Sequence, residues 1–154
     1  MPNEAIIIDS AMSFAEAIEG STAPIEIIDS LSMIDVHYYS FDGLRHQGQI
    51  LVDAKLEDDI YEIFELIDRL KFPVGKVVPI VSYQWEDGDS MADNNSSAFN
   101  FRVIADTNKL SLHSFGRAVD INPLQNPVIY PNGIIAPAGS VYRPGGSGTF
   151  TANH

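Results

Sequence analysis

The pattern of apolar and polar positions predicts two short helices at the start of the chain. Ser13 and Glu16 form the Ser-x-x-Glu pattern of a capping box, and Gly20 behind them is suited to ending a helix. Pro24 is suited to the first turn of a second helix. This second helix is expected to cover Ile25, Ile28 and Leu31.

A β-hairpin is predicted next. Two β-prone runs, 33–41 and 44–52, flank Asp42-Gly43, a dipeptide that is the strongest short-range hairpin signal. A two-residue turn at this point pairs His46 with Tyr39 across the ladder, and we expect His37 and His46 to serve in cross-strand packing.

A longer helix follows the hairpin, because apolar residues recur at helical spacing from Leu56 to Leu70 until Pro73 ends the pattern. The acidic run 57–59 falls in its first turn, where the helix dipole favours negative charge, so we interpret it as a helix N-terminus and not as a cation site. Trp85, in the segment after this helix, either lines a peptide groove or caps the core.

The second half of the chain predicts short strands around a polar loop. We expect strands at 76–83, 99–103 and 117–121, a polar loop at 84–97, and a second hairpin turn at Asn132-Gly133. Pro79 places the first of these strands at an edge or a bulge. Helices and hairpins without regular β-α alternation predict the α+β class, with a small antiparallel sheet and helices packed on one side.

The length of 154 residues predicts one domain over residues 1–154, with the Gly/Ser/Thr-rich stretch 143–154 as a flexible tail. The net charge of −12 argues against binding to nucleic acid or to an anionic membrane, since both require a basic face. The absence of cysteine excludes disulfides, Cys-ligated zinc, iron–sulfur clusters and a cysteine nucleophile.

The acidic residues are concentrated in the first half of the chain. Residues 1–71 hold 15 Asp and Glu against 4 Lys and Arg, whereas residues 72–154 hold 6 against 5. We therefore expect the chemistry in the nearly neutral second half. No apolar run is long enough to span a membrane, and Ile6–Ile8 is too short for a signal-peptide core. We expect a location in the cell envelope or periplasm if a targeting segment has been removed, and in the cytoplasm otherwise.

The segment 111–123 carries the candidate chemistry. If 118–121 is a strand, Ala118 and Asp120 share the face opposite the core, and Gly116 allows a bend that brings His113 back over that face. One imidazole and one carboxylate would then converge, which is how a zinc site with mixed nitrogen and oxygen ligands begins. A catalytic zinc, however, needs three protein ligands.

The pattern S-x-H-x-x-G-x-A-x-D at 111–120 resembles the signature of the zinc D-Ala-D-Ala carboxypeptidases and L-alanyl-D-glutamate endopeptidases, including the VanY-like and phage endolysin peptidases. The resemblance extends over about residues 33–127. Its other blocks are Tyr38-Tyr39, Asp42-Gly43, His46-Gln47-Gly48, Phe72-Pro73, Ser90-Met91, Asn94-Asn95, Ser97-Ala98-Phe99-Asn100 with Arg102, and the run 120–127.

This resemblance implies a Hedgehog/DD-peptidase-like fold and a zinc-dependent peptidase acting on peptidoglycan stem peptides. His113 and Asp120 would be zinc ligands, and zinc-activated water would attack an amide bond that involves a D-amino acid. Arg102 would steady the substrate carbonyl and the developing oxyanion. Ser97 and Ser111 would hydrogen-bond to substrate or to a metal ligand. The asparagines of the long loop, Asn94, Asn95 and Asn100, would pin it through hydrogen bonds to backbone.

The chain departs from the family pattern after Asp120. The family has a third ligand there, a histidine preceded by an acidic general base, but no Asp or Glu follows Asp120 and the later His154 lies in a different context. We therefore expect the domain to be incomplete at its C-terminus and the 154-residue chain alone to be inactive or nearly so. The explanations are a shortened product, a sequence that continues past His154, or a naturally short protein, and we favour the first two.

Several alternatives stay open from sequence. The chain could be a non-catalytic peptidoglycan-binding or zinc-binding domain that has lost the third ligand and the base. His113 and Asp120 could be only a hydrogen-bonded pair, and Arg102 could form a structural ion pair with a carboxylate of the acidic half. The scissile bond could be D-Ala-D-Ala, L-Ala-D-Glu or another stem-peptide link, and nothing in the sequence indicates the oligomeric state.

Overall fold

The computed structural model describes residues 5–104 and 107–151, and a three-stranded sheet lies at its centre. The strands are β1 (Ile7–Ile8), β2 (Leu31–Tyr39) and β3 (Arg45–Asp53), in the order β1-β3-β2. β2 and β3 are antiparallel, whereas β1 is parallel to β3. The α+β class therefore agrees with the structure, but the central sheet is mixed and not purely antiparallel. The Hedgehog-like arrangement stays a prediction.

The remaining elements are short except for one helix. The helices are α1 (Phe14–Ala17), α2 (Ile25–Ile28), α3 (Glu57–Arg69) and α4 (Asp87–Ala92). Two small sheets pair β4 (Lys76–Val77) with β5 (Asn95–Ser96), and β6 (Val128–Ile129) with β7 (Ile135–Ala136). 3₁₀ helices occupy Ala54–Leu56, Ile80–Tyr83 and Leu112–Phe115. No helix in the described ranges has both the length and the apolar character that a membrane crossing requires.

The predicted capping box is present at the start of α1. The Ser13 hydroxyl accepts the backbone N–H of Glu16 at 3.1 Å, and the Glu16 carboxylate accepts the backbone N–H of Ser13 at 3.1 Å. At α2, Pro24 is the residue before the first helical turn, and Leu31 belongs to β2, not to the helix. The predicted second helix is therefore correct in place but too long by about one turn.

The hairpin forms where Asp42-Gly43 predicts it, but the predicted register is wrong by one residue. The Ser40 N–H donates to the Leu44 carbonyl at 3.0 Å, and the Gly43 N–H donates to the Ser40 carbonyl at 3.0 Å, which makes a three-residue loop. Gly43 takes a positive φ of 77° in that loop. His46 consequently lies opposite Tyr38, whereas Tyr39 lies opposite Arg45.

Both faces of the β2–β3 hairpin are covered, so the prediction of helices on one side only is wrong. One buried cluster joins alternate hairpin residues to the apolar face of α3, and it contains Ile34, Val36, Ile50, Val52, Ile60, Phe64 and Ile67 among others. A second buried cluster lies on the opposite face of the hairpin and includes residues of α1 and α2. It contains Leu31, Leu51, Ala17, Ile28 and Phe99.

The predicted strands of the second half are mostly replaced by other structure. In 76–83 only Lys76–Val77 is a strand, because Pro79 precedes a 3₁₀ helix. The predicted loop 84–97 contains α4 and β5. In 99–103 and 117–121 the backbone makes only isolated bridges, Val103 with Leu110 and Ser97 with Asp120, because successive residues bond to different parts of the chain.

The second hairpin turn, at Asn132-Gly133, is present between β6 and β7. In the segment after it, Gly148 and Thr149 are buried, and Phe150 stacks on Phe72 with ring centroids 4.8 Å apart. The flexibility of residues 143–154 and the single domain over 1–154 stay predictions.

Candidate functional site

The signature segment begins with a short capped helix that presents His113. The Ser111 hydroxyl accepts the backbone N–H of His113 at 3.2 Å and caps the 3₁₀ helix Leu112–Phe115. Gly116 ends this helix with a left-handed φ of 69°, which is the bend that the sequence predicts at this glycine.

Gly116 and Arg117 fasten the segment to the end of β3. The backbone N–H of Asp53 donates to the Gly116 carbonyl at 3.0 Å, and Arg117 Nε donates to Asp53 Oδ2 at 2.8 Å. Asp53 is buried, and its hydrogen bond to the guanidinium is the main cause that holds the pKa of this carboxyl below its usual value. The helix that carries His113 therefore has a rigid anchor.

His113 and Asp120 come together as the signature predicts. His113 Nε2 lies 3.2 Å from Asp120 Oδ2, and the His113 side chain is mostly buried. Two ligands of a tetrahedral zinc are roughly 3.3–3.5 Å apart when each lies about 2.0–2.2 Å from the metal. The observed separation is thus close to that of two ligands of one zinc ion.

The backbone on either side of the pair fixes both side chains. His113 Nδ1 lies 2.7 Å from the Ala98 carbonyl oxygen, which can only accept, so Nδ1 carries a proton. In the neutral ring Nε2 is then the atom with the free lone pair, as in metal-bound histidines. Asp120 is held through its backbone, which exchanges two hydrogen bonds with Ser97, at 3.0 and 2.9 Å. Ala118–Ile121 is not a strand, yet Val119 and Ile121 still pack against the first core cluster.

The electrostatics of the pair favour the protonated form of His113. Burial disfavours the charged imidazole, but the Asp120 carboxylate and the Ala98 carbonyl outweigh burial and raise the pKa of His113. The charge of Arg102 acts in the opposite direction on His113. The Asp120 carboxylate therefore stabilises the imidazolium form of His113 in the absence of a metal.

The described residues bring together one pair of candidate ligands, His113 and Asp120, and no third. No group of three or more His, Cys, Asp or Glu side chains able to hold a metal occurs within residues 5–104 and 107–151. The tautomer of His113, and the distance from its Nε2 to Asp120 Oδ2, fit two ligand positions of a zinc site. His154, the later histidine in the sequence, lies outside the described residues.

Arg102 lies on the segment that faces His113. The Ser114 hydroxyl accepts the Arg102 N–H at 2.9 Å and donates to the Arg102 carbonyl at 2.6 Å, which ties its backbone to the helix of His113. Its guanidinium lies 3.6 Å from Asp87 Oδ2. That carboxylate belongs to α4 and not to the acidic half of the chain, so the ion pair is not the one that the sequence alternative expects.

The other candidate residues fall into two groups. Ser97 and Ser111 lie beside the His113–Asp120 pair and support its backbone, and their substrate contacts stay predictions. Asn94 and Asn95 do pin the loop: Asn94 Oδ1 accepts the Leu124 N–H at 2.9 Å, and Asn95 binds both backbone groups of Val78. The buried Asn100 side-chain nitrogen has no partner among the described residues, so the expected pinning bond is not seen there.

Several supporting residues were not foreseen from sequence. No local sequence pattern predicts the pairing of Arg117 with Asp53, because the two residues are 64 positions apart. Trp85, left open from sequence, caps the second core cluster: it contacts Phe99 edge-on at 5.9 Å, and its Nε1 donates to the Glu19 carbonyl at 2.8 Å.

Comparison with known proteins supports a peptidase family for this part of the chain. A family model described as D-alanyl-D-alanine carboxypeptidase matches residues 105–151, less than half of the chain, and the matched region contains the whole signature from Ser111 to Asp120. The match overlaps the predicted resemblance over 105–127 and extends beyond it, whereas residues 33–104 are not matched. No curated protein and no solved structure matches the chain.

Proposed function

We propose that the protein is a zinc-dependent peptidase that hydrolyses amide bonds involving D-amino acids in peptidoglycan stem peptides. The observation that carries this proposal is the 3.2 Å approach of His113 Nε2 to Asp120 Oδ2, in a segment that matches a carboxypeptidase family. A substrate of this kind places the activity in the cell envelope or in the recycling of envelope fragments.

Each residue of the site has a defined task in this proposal. His113 and Asp120 would hold the metal, which would lower the pKa of a water molecule to about 7 and so supply hydroxide near neutral pH. Ala98 and Ser97 keep the two ligands in place through their backbone groups. Arg102 hydrogen-bonds to the substrate carbonyl and stabilises the negative charge that develops on its oxygen.

The proposal takes the third ligand and the general base from outside the described residues. This choice follows from the two-ligand geometry, because a catalytic zinc has three protein ligands and an open position for water. The first test is zinc binding, which does not depend on turnover.

We expect the purified protein to bind one equivalent of zinc after chelator treatment and dialysis against a zinc buffer. His113→Ala and Asp120→Asn should each weaken zinc binding by at least about 100-fold, because each removes one ligand and leaves the partner unpaired. His37→Ala is the matched control, since His37 lies on β2 and bonds only to Gln47 in the described structure. Equal zinc affinity in wild type and His113→Ala would contradict the metal assignment.

The second test is hydrolysis of a synthetic stem pentapeptide, followed by mass spectrometry of the products. Any zinc-dependent cleavage should disappear in His113→Ala and persist in His37→Ala. Zinc binding through His113 and Asp120 without cleavage of any stem peptide, in a protein that also contains the third ligand and the general base, would instead favour the non-catalytic alternative.

A further inference from the structure

β2 is the edge strand of the central sheet, and its outer edge is open. The order β1-β3-β2 gives β2 one neighbouring strand in the described residues, β3. β2 pairs with β3 over all nine of its residues without a bulge, and it contains no proline. Short strands, bulges and prolines are devices that commonly interrupt an exposed edge. β2 has none of these devices, so its edge is regular along its length.

The hydrogen bonds of β3 show which backbone groups of β2 point away from the sheet. Leu51 of β3 bonds away from β2, because its carbonyl accepts the Phe99 N–H at 3.0 Å. Directly opposite residues of an antiparallel ladder turn their backbone groups either both toward each other or both away. Met33 lies opposite Leu51, so Met33 and the alternate residues Asp35 and His37 point their N–H and C=O groups outward. None of these six groups has a hydrogen-bond partner within the described residues.

The open stretch of the edge is closed off at both ends by other parts of the chain. The Ser30 carbonyl accepts the Ala54 N–H at 2.9 Å, and the Tyr39 carbonyl accepts the Val74 N–H at 2.9 Å. Between these two bonds the free groups of 33–37 span about 17 Å, which is the length of a five-residue strand. A strand of that length, added antiparallel, would exchange six main-chain hydrogen bonds with β2, as in other cases of β-strand addition.

An acidic groove between β2 and α3 runs beside the open edge. It has a volume of about 370 Å³, and its lining includes Asp35 of β2 and Tyr61, Glu65 and Asp68 of α3. Asp68 is already paired with Arg45 at 2.9 Å, whereas Asp35 and Glu65 form no ion pair in the described residues. Tyr61 and Glu65 are four positions apart, so the ring and the carboxylate are neighbours on the helix surface. This pair suits a lysine or arginine side chain, whose stem packs on the ring while its charge meets the carboxylate.

We propose that the open edge of β2 binds an extended segment of a partner protein that carries lysine or arginine. The main chain of this segment bonds to Met33, Asp35 and His37. The side chain that lies opposite Val36 enters the groove and reaches Glu65, because Val36 is on the face of β2 that packs against α3. His37 contributes main-chain groups only. This inference does not depend on the proposed function.

The charges of this surface favour a basic partner over a second copy of the chain. A two-fold pairing of β2 with β2 that used all six groups of each copy would place Asp35 directly opposite Asp35. It would also bring together two copies of α3, each with six carboxylates against one arginine. Like charges in direct opposition destabilise a strand pair. The same charges attract a basic strand, so Asp35 selects against self-pairing and for this partner.

The experiment uses three peptides with acetyl and amide ends. The first is TVKVKVT, the second has glutamate in place of both lysines, and the third is the lysine peptide with N-methyl groups on its three valines. Dissociation constants are measured by chemical-shift titration of the ¹⁵N-labelled protein. The lysine peptide should bind at least about tenfold more tightly than the glutamate peptide. The N-methylated peptide should not bind, because it has the same charge but cannot donate to the edge.

Amide hydrogen exchange shows where the lysine peptide binds. In the free protein the N–H groups of Met33, Asp35 and His37 should exchange rapidly, because they have no partner. With saturating lysine peptide their exchange should slow by at least about tenfold, since each N–H then lies in a strand hydrogen bond. Binding by charge alone would leave these three exchange rates unchanged and would overturn the proposal.

Two charge reversals on α3 test the groove. Glu65→Lys should weaken binding of the lysine peptide about fivefold, because it replaces an attractive charge with a repulsive one inside the groove. Glu62→Lys is the matched control, since Glu62 is exposed on the same helix, makes the same change in net charge and does not line the groove. It should weaken binding by less than about twofold.

Four further outcomes overturn the proposal: no binding of the lysine peptide, equal binding of the lysine and glutamate peptides, binding of the N-methylated peptide, or equal effects of the two charge reversals. Slow exchange at the three N–H groups that increases with protein concentration, in the absence of any peptide, would overturn it in favour of a second copy of the chain. None of these outcomes bears on the zinc affinity that tests the proposed function.

Discussion

Gly116 is the residue on which the orientation of His113 depends most directly. It has a left-handed backbone, and an added Cβ would lie 2.6 Å from the backbone nitrogen of Asp53 and 2.9 Å from a methyl group of Leu31. Only a glycine permits both the turn and the close approach to β3. The glycine of the signature is therefore required by packing as well as by the bend.

Gly116→Ala should destabilise the protein by about 3 kcal/mol, because it adds left-handed strain to a clash with backbone. Gly133→Ala is the matched control: Gly133 has a φ of 86°, but nothing lies within 4 Å of its added Cβ, so only the strain of about 1 kcal/mol applies. Urea unfolding measures both changes. Equal losses in the two variants would show that contact with β3 is not important at Gly116.

At the residue scale, the sequence predicts the functional pair better than the residues that support it. His113 and Asp120 are seven positions apart, and a glycine bend with a small Ala118 is enough to suggest that they converge. The anchor between Arg117 and Asp53 joins residues 64 positions apart. No local pattern contains that pairing, because it depends on where β3 ends in space.

At the scale of elements, the three-residue loop of the first hairpin creates a buried charged cluster. His46 is buried and stacks on Tyr38 with ring centroids 5.8 Å apart. Its Nδ1 lies 2.8 Å from Asp9 Oδ2, and its Nε2 lies 2.9 Å from Asp42 Oδ2. The Tyr38 hydroxyl also donates to Asp9 at 2.6 Å. Only a protonated imidazole donates to both carboxylates, so the cluster ties β1 to the hairpin turn when His46 is charged.

The stability of this cluster should depend on pH. Burial lowers the pKa of His46, but the hydrogen bonds and charges of Asp42 and Asp9 outweigh it and raise the pKa above its usual value. A raised folded pKa gives stability that is complete below the unfolded pKa of about 6.5 and is lost as pH rises through the folded value. Between pH 6 and pH 8.5 the free energy of unfolding should fall by about 1 kcal/mol more in the wild type than in His46→Gln, as measured by urea unfolding.

His37→Gln is the control for that measurement, because His37 bonds to Gln47 and to no carboxylate in the described residues. It should keep the pH dependence of the wild type. A His46→Gln protein with the same pH dependence as the wild type would show that His46 does not bridge the two carboxylates as an imidazolium.

Elements whose sequence signals lie within a few residues were predicted well. Segments whose backbone hydrogen bonds go to distant residues were not. The capping box, the periodicity of α3 and the two Gly turns each act within a few residues, and each element is found. The segments around 99–103 and 117–121 have β-prone residues, but Phe99 bonds to Leu51 and Asn100 to His113. Their backbone groups are satisfied by several parts of the chain in turn, so β propensity does not produce a ladder.

At the scale of the whole molecule, one buried side chain joins three parts of the chain. Asn122 Oδ1 accepts the Gly75 N–H at 2.9 Å, and its Nδ2 donates to the carbonyls of Pro73 and Gly148 at 2.8 and 3.0 Å. It is fully buried, with a positive φ of 48° that asparagine tolerates. Asn122 thus connects the chain after α3, the signature segment and the C-terminal segment around Gly148.

Asn122→Asp should destabilise the protein by about 3 kcal/mol or more at neutral pH. The carboxylate keeps the acceptor for Gly75, but it loses both donor bonds and places a buried charge against two carbonyl oxygens. Asn132→Asp is the matched control, because the exposed Asn132 uses only its Oδ1, which accepts the Ile134 N–H at 3.0 Å, and aspartate preserves that bond. Its stability should stay within about 0.5 kcal/mol of the wild type.

Since Asn122 lies two positions from Asp120, zinc binding should weaken together with stability in Asn122→Asp. Asn132→Asp should leave zinc binding unchanged. Equal unfolding free energies for the two variants would mean that the C-terminal segment is held to the core by apolar contacts such as Phe72 with Phe150, and not by this amide.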